Sequence, residues 1–248
     1  MNKWLGVEQL WPAQPQGLKG GVQYWDGQFD DARLALAHAP VGGGRVHEHG
    51  DDRDLVAWST IKVPLALAVV RAGDGERLST DITSALTASD NEAAARLWES
   101  LGDGASASGA VEEQLRRGGD RRTGVPSRVV VEGYSPFGQA TWRLTDQTRM
   151  TSALPCLSGS RPVTTAMGQV VDGQRWGLGG IAGARYKGGW GSTPEGYVVR
   201  QVGLVPGAKG GQVAVAVQVH RVHPLDVARG VPLAPVLLAR TGPERHPA

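Results

Sequence analysis

Hydrophobic and polar positions change period twice along this 248-residue chain. Positions 33–39 (RLALAHA) alternate as a half-buried strand does, and a Gly-rich turn at 41–44 returns the chain into 45–49, which predicts a hairpin. From position 60, TIKVPLALAVVRAG is an apolar run that ends at Gly73. Pro64 falls near its first turn, where a missing N–H is tolerated, so the run predicts a mostly buried helix over 60–72. Helical spacing continues over 81–88, 92–101, 111–117, 145–154 and 162–171, with a short β-prone run at 128–131. Alternation then returns at 197–205 (YVVRQVGLV) and 212–220 (QVAVAVQVH), joined by a Pro-Gly-Ala-Lys-Gly-Gly turn. Short helices are predicted at 2–10 and 225–239. Strands on both sides of a helical block predict an α+β fold, an antiparallel sheet with an α lobe.

Composition narrows the picture. Apolar residues make up 40% of the chain and charged residues 20%, which is globular composition. The length fits one domain over 1–248, with a sheet lobe from roughly 20–58 and 160–240 and a helical lobe over roughly 59–159. A net charge of +2 gives no electrostatic reason to expect nucleic acid or an anionic membrane as partner. No stretch approaches the roughly 20 apolar residues that span a bilayer. The single cysteine, Cys156, excludes an intramolecular disulfide. The first residues lack the apolar run of a secretory signal, which leaves either a cytoplasmic protein or a leader outside this sequence. No cofactor is expected, and the expected partner of a monomeric chain is a small-molecule or peptide substrate.

Three short elements then carry candidate chemistry, in order: Ser59-Thr-Ile-Lys62, Ser89-Asp90-Asn91 and Lys187-Gly188-Gly189. Serine at a helix opening with lysine three residues on puts both side chains on one face. A serine hydroxyl needs a base to become a nucleophile, and a lysine serves only if burial or a second cation lowers its pKa. The apolar run VPLALAVV supplies the burial, and Lys187, if brought nearby, supplies the cation. Each element also has a plain reading. Ser59 can be a helix N-cap, Ser89-x-x-Glu92 a capping box, and Lys-Gly-Gly a loop. Lysine usage favours chemistry. The chain has five lysines against 21 arginines, and two of the five fall in these elements. Lys62 sits inside an apolar helix, where an unpaired ammonium is costly and where arginine could not act as a base.

The ordered set resembles the active site of class A β-lactamases and penicillin-binding D,D-peptidases. SDNEAAARLWESLG is similar to that family's SDN-led helix, Gln174-Arg-Trp-Gly177 precedes the Lys-Gly-Gly strand, and roughly positions 30–240 fit. The resemblance implies a five-stranded antiparallel sheet flanked by helices, and export to the cell envelope. It implies that Ser59 attacks the substrate carbonyl, that Lys62 takes its proton, and that Ser89 with Lys187 relays a proton to the leaving nitrogen. Asn91 would bind the substrate amide, Gly189 and Trp190 would line the cleft, and the Ser59 and Trp190 N–H groups would form an oxyanion hole.

Three departures qualify this. Gly188 stands where the family has Thr or Ser, so carboxylate recognition is weakened or passes to Ser192 or Thr193. Only 30 positions separate Ser59 from Ser89, which implies a reduced α lobe and an open cleft. No Glu-x-x-Leu-Asn loop is present, and Glu132 is the candidate for activating the deacylating water. The substrate stays open among β-lactam, D-alanyl peptide and ester, and a non-catalytic cell-wall-binding module is the rival. No metal is expected: His47-x-His49 and His220-x-x-His223 lack zinc-enzyme spacing and read as surface histidines. There is no Gly-x-Ser-x-Gly elbow and no P-loop.

Overall fold

The computed structural model describes residues 32–50, 53–208 and 210–221; the helices expected at 2–10 and 225–239, and His223, lie outside them. Five strands form one antiparallel sheet in the order β2-β1-β5-β4-β3: β1 Ala32–Pro40, β2 His47–Gly50, β3 Arg185–Thr193, β4 Gly196–Pro206 and β5 Gln212–Arg221. The alternating runs pair in register, Leu36 opposite Val217 and Ala37 opposite Ala216, so each β1 face stays on one side of the sheet. One face buries Leu36, Tyr186, Val205 and Val215, and the other buries Ala35, Ala37, Val202 and Ala216 under Leu144. With both faces covered, β4 is buried along nearly its whole length.

The helices are α1 Lys62–Arg71, α2 Ser79–Thr87, α3 Asn91–Ser100, α4 Gly104–Arg117, α5 Leu144–Ala153 and α6 Ser160–Met167. The main core gathers around α1, whose residues from Lys62 to Val69 are all buried. Helix α4 packs on α1, while α5 packs on β1, β4 and β5 and so belongs to the sheet side, although the sequence division assigns it to the helical lobe. Among the described residues no helix is long and apolar enough to cross a membrane.

Four expectations are corrected. Residues 128–131 form no strand: Val129, Val130 and Val131 are exposed on a loop. That loop is tied by Gln139, whose Oε1 accepts from Val131 N–H and whose Nε2 donates to Tyr134 O and Ser135 O. Helix α4 begins seven residues before the expected 111, because Asp103 caps it by accepting from Ser106 N–H at 2.8 Å. Helix α6 stops at Met167, with Gly168 as its C-cap, short of Val171. His49 and His220 are buried, since alternation along β2 and β5 turns them inward.

Candidate active site

Ser59 lies on a 3-10 turn, Trp58–Ile61, that runs straight into α1. This turn is held from behind by a buried polar network. The Arg200 guanidinium, on β4, donates to Leu55 O at 2.7 Å and to Trp142 O at 2.6 Å. Gln147, on α5, donates through Nε2 to Thr60 Oγ1 at 2.7 Å, and Thr60 Oγ1 donates to Ala57 O at 2.6 Å. Ala57 N–H is tied to Ala140 O. Every residue beside Ser59 is thereby pinned, and Trp58 is held at φ 49°, a left-handed conformation that a side chain of this size adopts only under constraint. Neither Ser59 nor any neighbour caps α1 through its side chain, so the N-cap reading of Ser59 falls.

One turn further, Lys62 points away from water and is 1% exposed. Its Nζ donates to Ser89 O at 2.7 Å, Asn91 Oδ1 at 2.7 Å and Asp90 O at 3.2 Å. The Ser-Asp-Asn element is positioned by a cap, though by a different residue than the sequence suggests. Asp90, not Ser89, is the N-cap of α3, its carboxylate accepting from Ala93 N–H at 3.0 Å. That cap leaves Ser89 at φ 60°, with its hydroxyl free for Lys187, whose Nζ donates to Ser89 Oγ at 2.9 Å and to Gly188 O at 2.7 Å. Four of the sequence-predicted residues, Lys62, Ser89, Asn91 and Lys187, thus form one connected hydrogen-bond group beside the Ser59 turn.

Burial lowers the pKa of both lysines. Burial lowers Lys62 from 10.5 to about 8, against a partly compensating attraction from Asp90. Lys187 is pushed well below its ordinary value, first by burial and second by the Lys62 ammonium. A lysine with a pKa near 8 is a usable proton acceptor at neutral pH.

Strand β3 closes the site. It is the edge strand, so its outer backbone groups have no sheet partner, and the Ser59 turn packs on it. Contact is close enough to require glycine: a Cβ at Gly189 would stand 2.8 Å from Ser59 N and 2.9 Å from Thr60 N. Beyond it the Trp58 ring lies on the backbone of Gly191, and its other neighbour is Tyr134, with ring centroids 5.0 Å apart. The opposite face of β3 carries Gly188, Trp190 and Ser192.

Comparison with solved structures places this architecture. The TLA-1 extended-spectrum β-lactamase aligns with a TM-score of 0.68 at 15% identity, covering 87% of this chain and 94% of that one. A β-lactamase from Desulfarculus baarsii gives 0.63 at 19% identity, with 84% and 90% covered. A class A β-lactamase from Mycobacterium abscessus gives 0.61 at 15% identity, with 90% and 98% covered. The fold is β-lactamase-like. No family model matches the chain, and no curated protein matches its sequence. At these identities the β-lactamase-like fold is what the likeness establishes, and activity has to be argued from the site.

The remaining predicted residues are placed unevenly. Thr193 donates its hydroxyl to Gly196 O at 3.3 Å within the β3–β4 turn. Ser192 is half-buried on the Trp190 face. Glu132 is exposed on the 128–139 loop and makes no hydrogen bond to Lys62, Ser89 or Asn91. The supporting residues Arg200, Gln147 and Thr60 give no sequence signal, because their roles depend on contacts across 50 positions or more.

Proposed function

We propose that this chain is a serine hydrolase that acts on an amide or ester through an acyl-enzyme on Ser59. One observation carries the reading: a buried lysine of lowered pKa, one helical turn from Ser59, is bound to the same Ser-Asp-Asn element that a second buried lysine reaches. As a neutral amine, Lys62 keeps two protons for its 2.7 Å bonds to Ser89 O and Asn91 Oδ1 and has one lone pair to accept the Ser59 proton. The Ser59 oxygen then bonds to the carbonyl carbon, and the Ser59 and Trp190 N–H groups would stabilise the oxyanion. Ser89, supported by Lys187, delivers the proton to the leaving atom as its bond to carbon breaks. Asn91 positions Lys62 and offers its amide to the substrate.

Release of the acyl group is slow in this reading, because Glu132 stands in solvent away from the Lys62 contacts. Rapid turnover of a chromogenic cephalosporin that is lost in Glu132→Ala would overturn that half of the proposal. The rival, a non-catalytic module of the same fold that binds cell-wall peptide, is favoured by Gly188. Incubation with a labelled penicillin and with an alkyl fluorophosphonate, followed by intact mass, separates the two. An adduct on Ser59 that disappears in Ser59→Ala supports the enzyme. No adduct with either probe supports the binder.

A further inference from the structure

Beside the reacting group, on the face of β3 that carries Gly188, stand two indoles. A Cβ at Gly188 would lie 3.2 Å from Trp176 Cζ2 and 3.5 Å from Trp190 Cζ3, so the two rings already occupy the space of a side chain at this position. They meet edge to face, with centroids 5.9 Å apart and planes at 68°, the geometry aromatic pairs prefer. Tyr197 and Val199 back them from β4, and both indoles remain partly exposed.

The Trp176 ring is held, not draped. Gln201, buried on β4 directly opposite Gly188, donates through Nε2 to Trp176 O at 2.7 Å and accepts from Leu178 N–H at 2.7 Å. Gly177 between them has φ 57° and passes so close to the Gln201 amide that a side chain there would collide with it. Gly177, Gln201, Gly188 and the two tryptophans are therefore one packed device.

The charged groups nearest this surface already hold partners of their own. Lys187 Nζ donates to Ser89 Oγ and Gly188 O. Arg175 Nε donates to Val170 O and lies 3.4 Å from Asp172. The Thr193 hydroxyl is used in its turn, and Ser192 sits two positions beyond Trp190 and four from Gly188. A carboxylate pressed on this surface would lose water against two indole rings and would have to draw Lys187 or Arg175 away from those partners to replace it.

We infer that Trp176 and Trp190 form the recognition wall of the cleft and take an uncharged aryl or alkyl group on the leaving side of the substrate, where a carboxylate is disfavoured. The leaving side follows from position, since Gln174, two residues before Trp176, donates through Nε2 to Ala88 O at 2.8 Å, next to the proton-delivering Ser89. This inference rests on the acyl-transfer reading and specifies its substrate. In the reaction the Ser59 oxygen replaces the leaving oxygen on the carbonyl carbon, the Ser59 proton ends on the departing phenol or alcohol, and water later returns the acid and free Ser59.

The test uses two phenylacetyl esters that differ only in charge, one with methyl 3-hydroxybenzoate as leaving group and one with 3-hydroxybenzoate. Acylation rates on the full chain, each divided by the rate with hydroxide, and dissociation constants on Ser59→Ala are measured for both. The neutral ester is expected to bind and react about tenfold or more better. Trp176→Ala is expected to shrink that ratio several-fold, and Gly188→Ser with Trp176→Ala to shrink it further by supplying a hydroxyl. Equal or better use of the carboxylate ester by the unmodified chain overturns the inference, whatever the variants do. If the fluorophosphonate leaves Ser59 unlabelled while Ser59→Ala still prefers the neutral ester, the wall stands and the acyl-transfer reading falls.

Discussion

Replacing Lys62 by Met removes a buried ammonium while keeping much of its volume, and the consequences divide cleanly by pH. A shift from 10.5 to about 8 means that folding at neutral pH carries about 3 kcal/mol against this one group. Between these values the unfolded chain still binds the lysine proton and the folded chain does not. Stability therefore rises with pH through this window; the penalty is complete below about 8 and gone above 10.5. The substitution also leaves Ser89 O, Asp90 O and Asn91 Oδ1 without their donor, at roughly 1 kcal/mol each, so the net change at pH 7 is small. The pH dependence is the diagnostic. Urea unfolding of both proteins at pH 7, 8, 9 and 10 should show wild type gaining on Lys62→Met by about 2–3 kcal/mol across the series, with acylation of Ser59 reduced by about 10²–10⁴ in the variant. Tyr186, which burial raises to about 12, titrates alike in both and cancels. Parallel stability curves would refute the displaced pKa, and wild-type acylation in Lys62→Met would refute its role as base.

Other substitutions probe the parts separately. Asp90→Ala should cost about 1 kcal/mol through the lost cap and move the rising limb of the acylation pH profile to lower pH, because the attraction that holds the Lys62 proton is gone. Asp90→Asn, measured by the same profile, should keep the cap and show the same displacement; an alkaline shift would sink the idea. Gly189→Ala places a methyl 2.8 Å from Ser59 N, so thermal unfolding should reveal a loss of about 1–3 kcal/mol and mass labelling a Ser59 that reacts at least tenfold more slowly. Arg200→Leu strips the donors from Leu55 O and Trp142 O, both close behind the Ser59 turn, and should destabilise by about 3 kcal/mol or more in chemical unfolding. An unfolding midpoint unchanged in that variant would show that the network is incidental.

What the chain spells out and what it hides follow from the range of the interactions. The strands at 33–39, 197–205 and 212–220 were legible because alternation is a local signature, and the apolar run over 60–72 left no alternative to a buried helix. The β-prone valines at 129–131 misled for the same reason: propensity is local, but a strand needs an edge, and β3 offers its free edge to the Ser59 turn instead. At the site, Lys62, Ser89, Asn91 and Lys187 could be picked out by type and order. The capping box could not be trusted, since the shift of one residue from Ser89 to Asp90 depends on backbone geometry that only the fold imposes. Trp176 stood out only as part of the segment that precedes the Lys-Gly-Gly strand. Its partnership with Gly188 becomes visible only once β3 and the 176–178 turn are side by side.

That last pair bears on how the site is kept in shape. Trp58 and Ser89 flank the chemistry in left-handed conformations that cost roughly 1–3 kcal/mol each, and such strain persists only where surrounding contacts over-determine it. For Trp58 those contacts are the Arg200–Gln147–Thr60 network below and the Gly191 backbone beside it. For Ser89 they are the Asp90 cap and the two lysines. The lysines are themselves destabilising, by burial and by mutual repulsion. A surface selected only for stability would relax each of these, and all of them fall on the Ser59 turn or on the hydrogen-bond group of Lys62, Ser89 and Lys187. Costs concentrated in this way are what an acylation site requires: a lysine of lowered pKa, a hydroxyl held by a second buried lysine, and an edge strand pressed against the turn that carries Ser59. A binding module would have no need of the lowered Lys62, so its measured pKa separates the two readings even before a substrate is known.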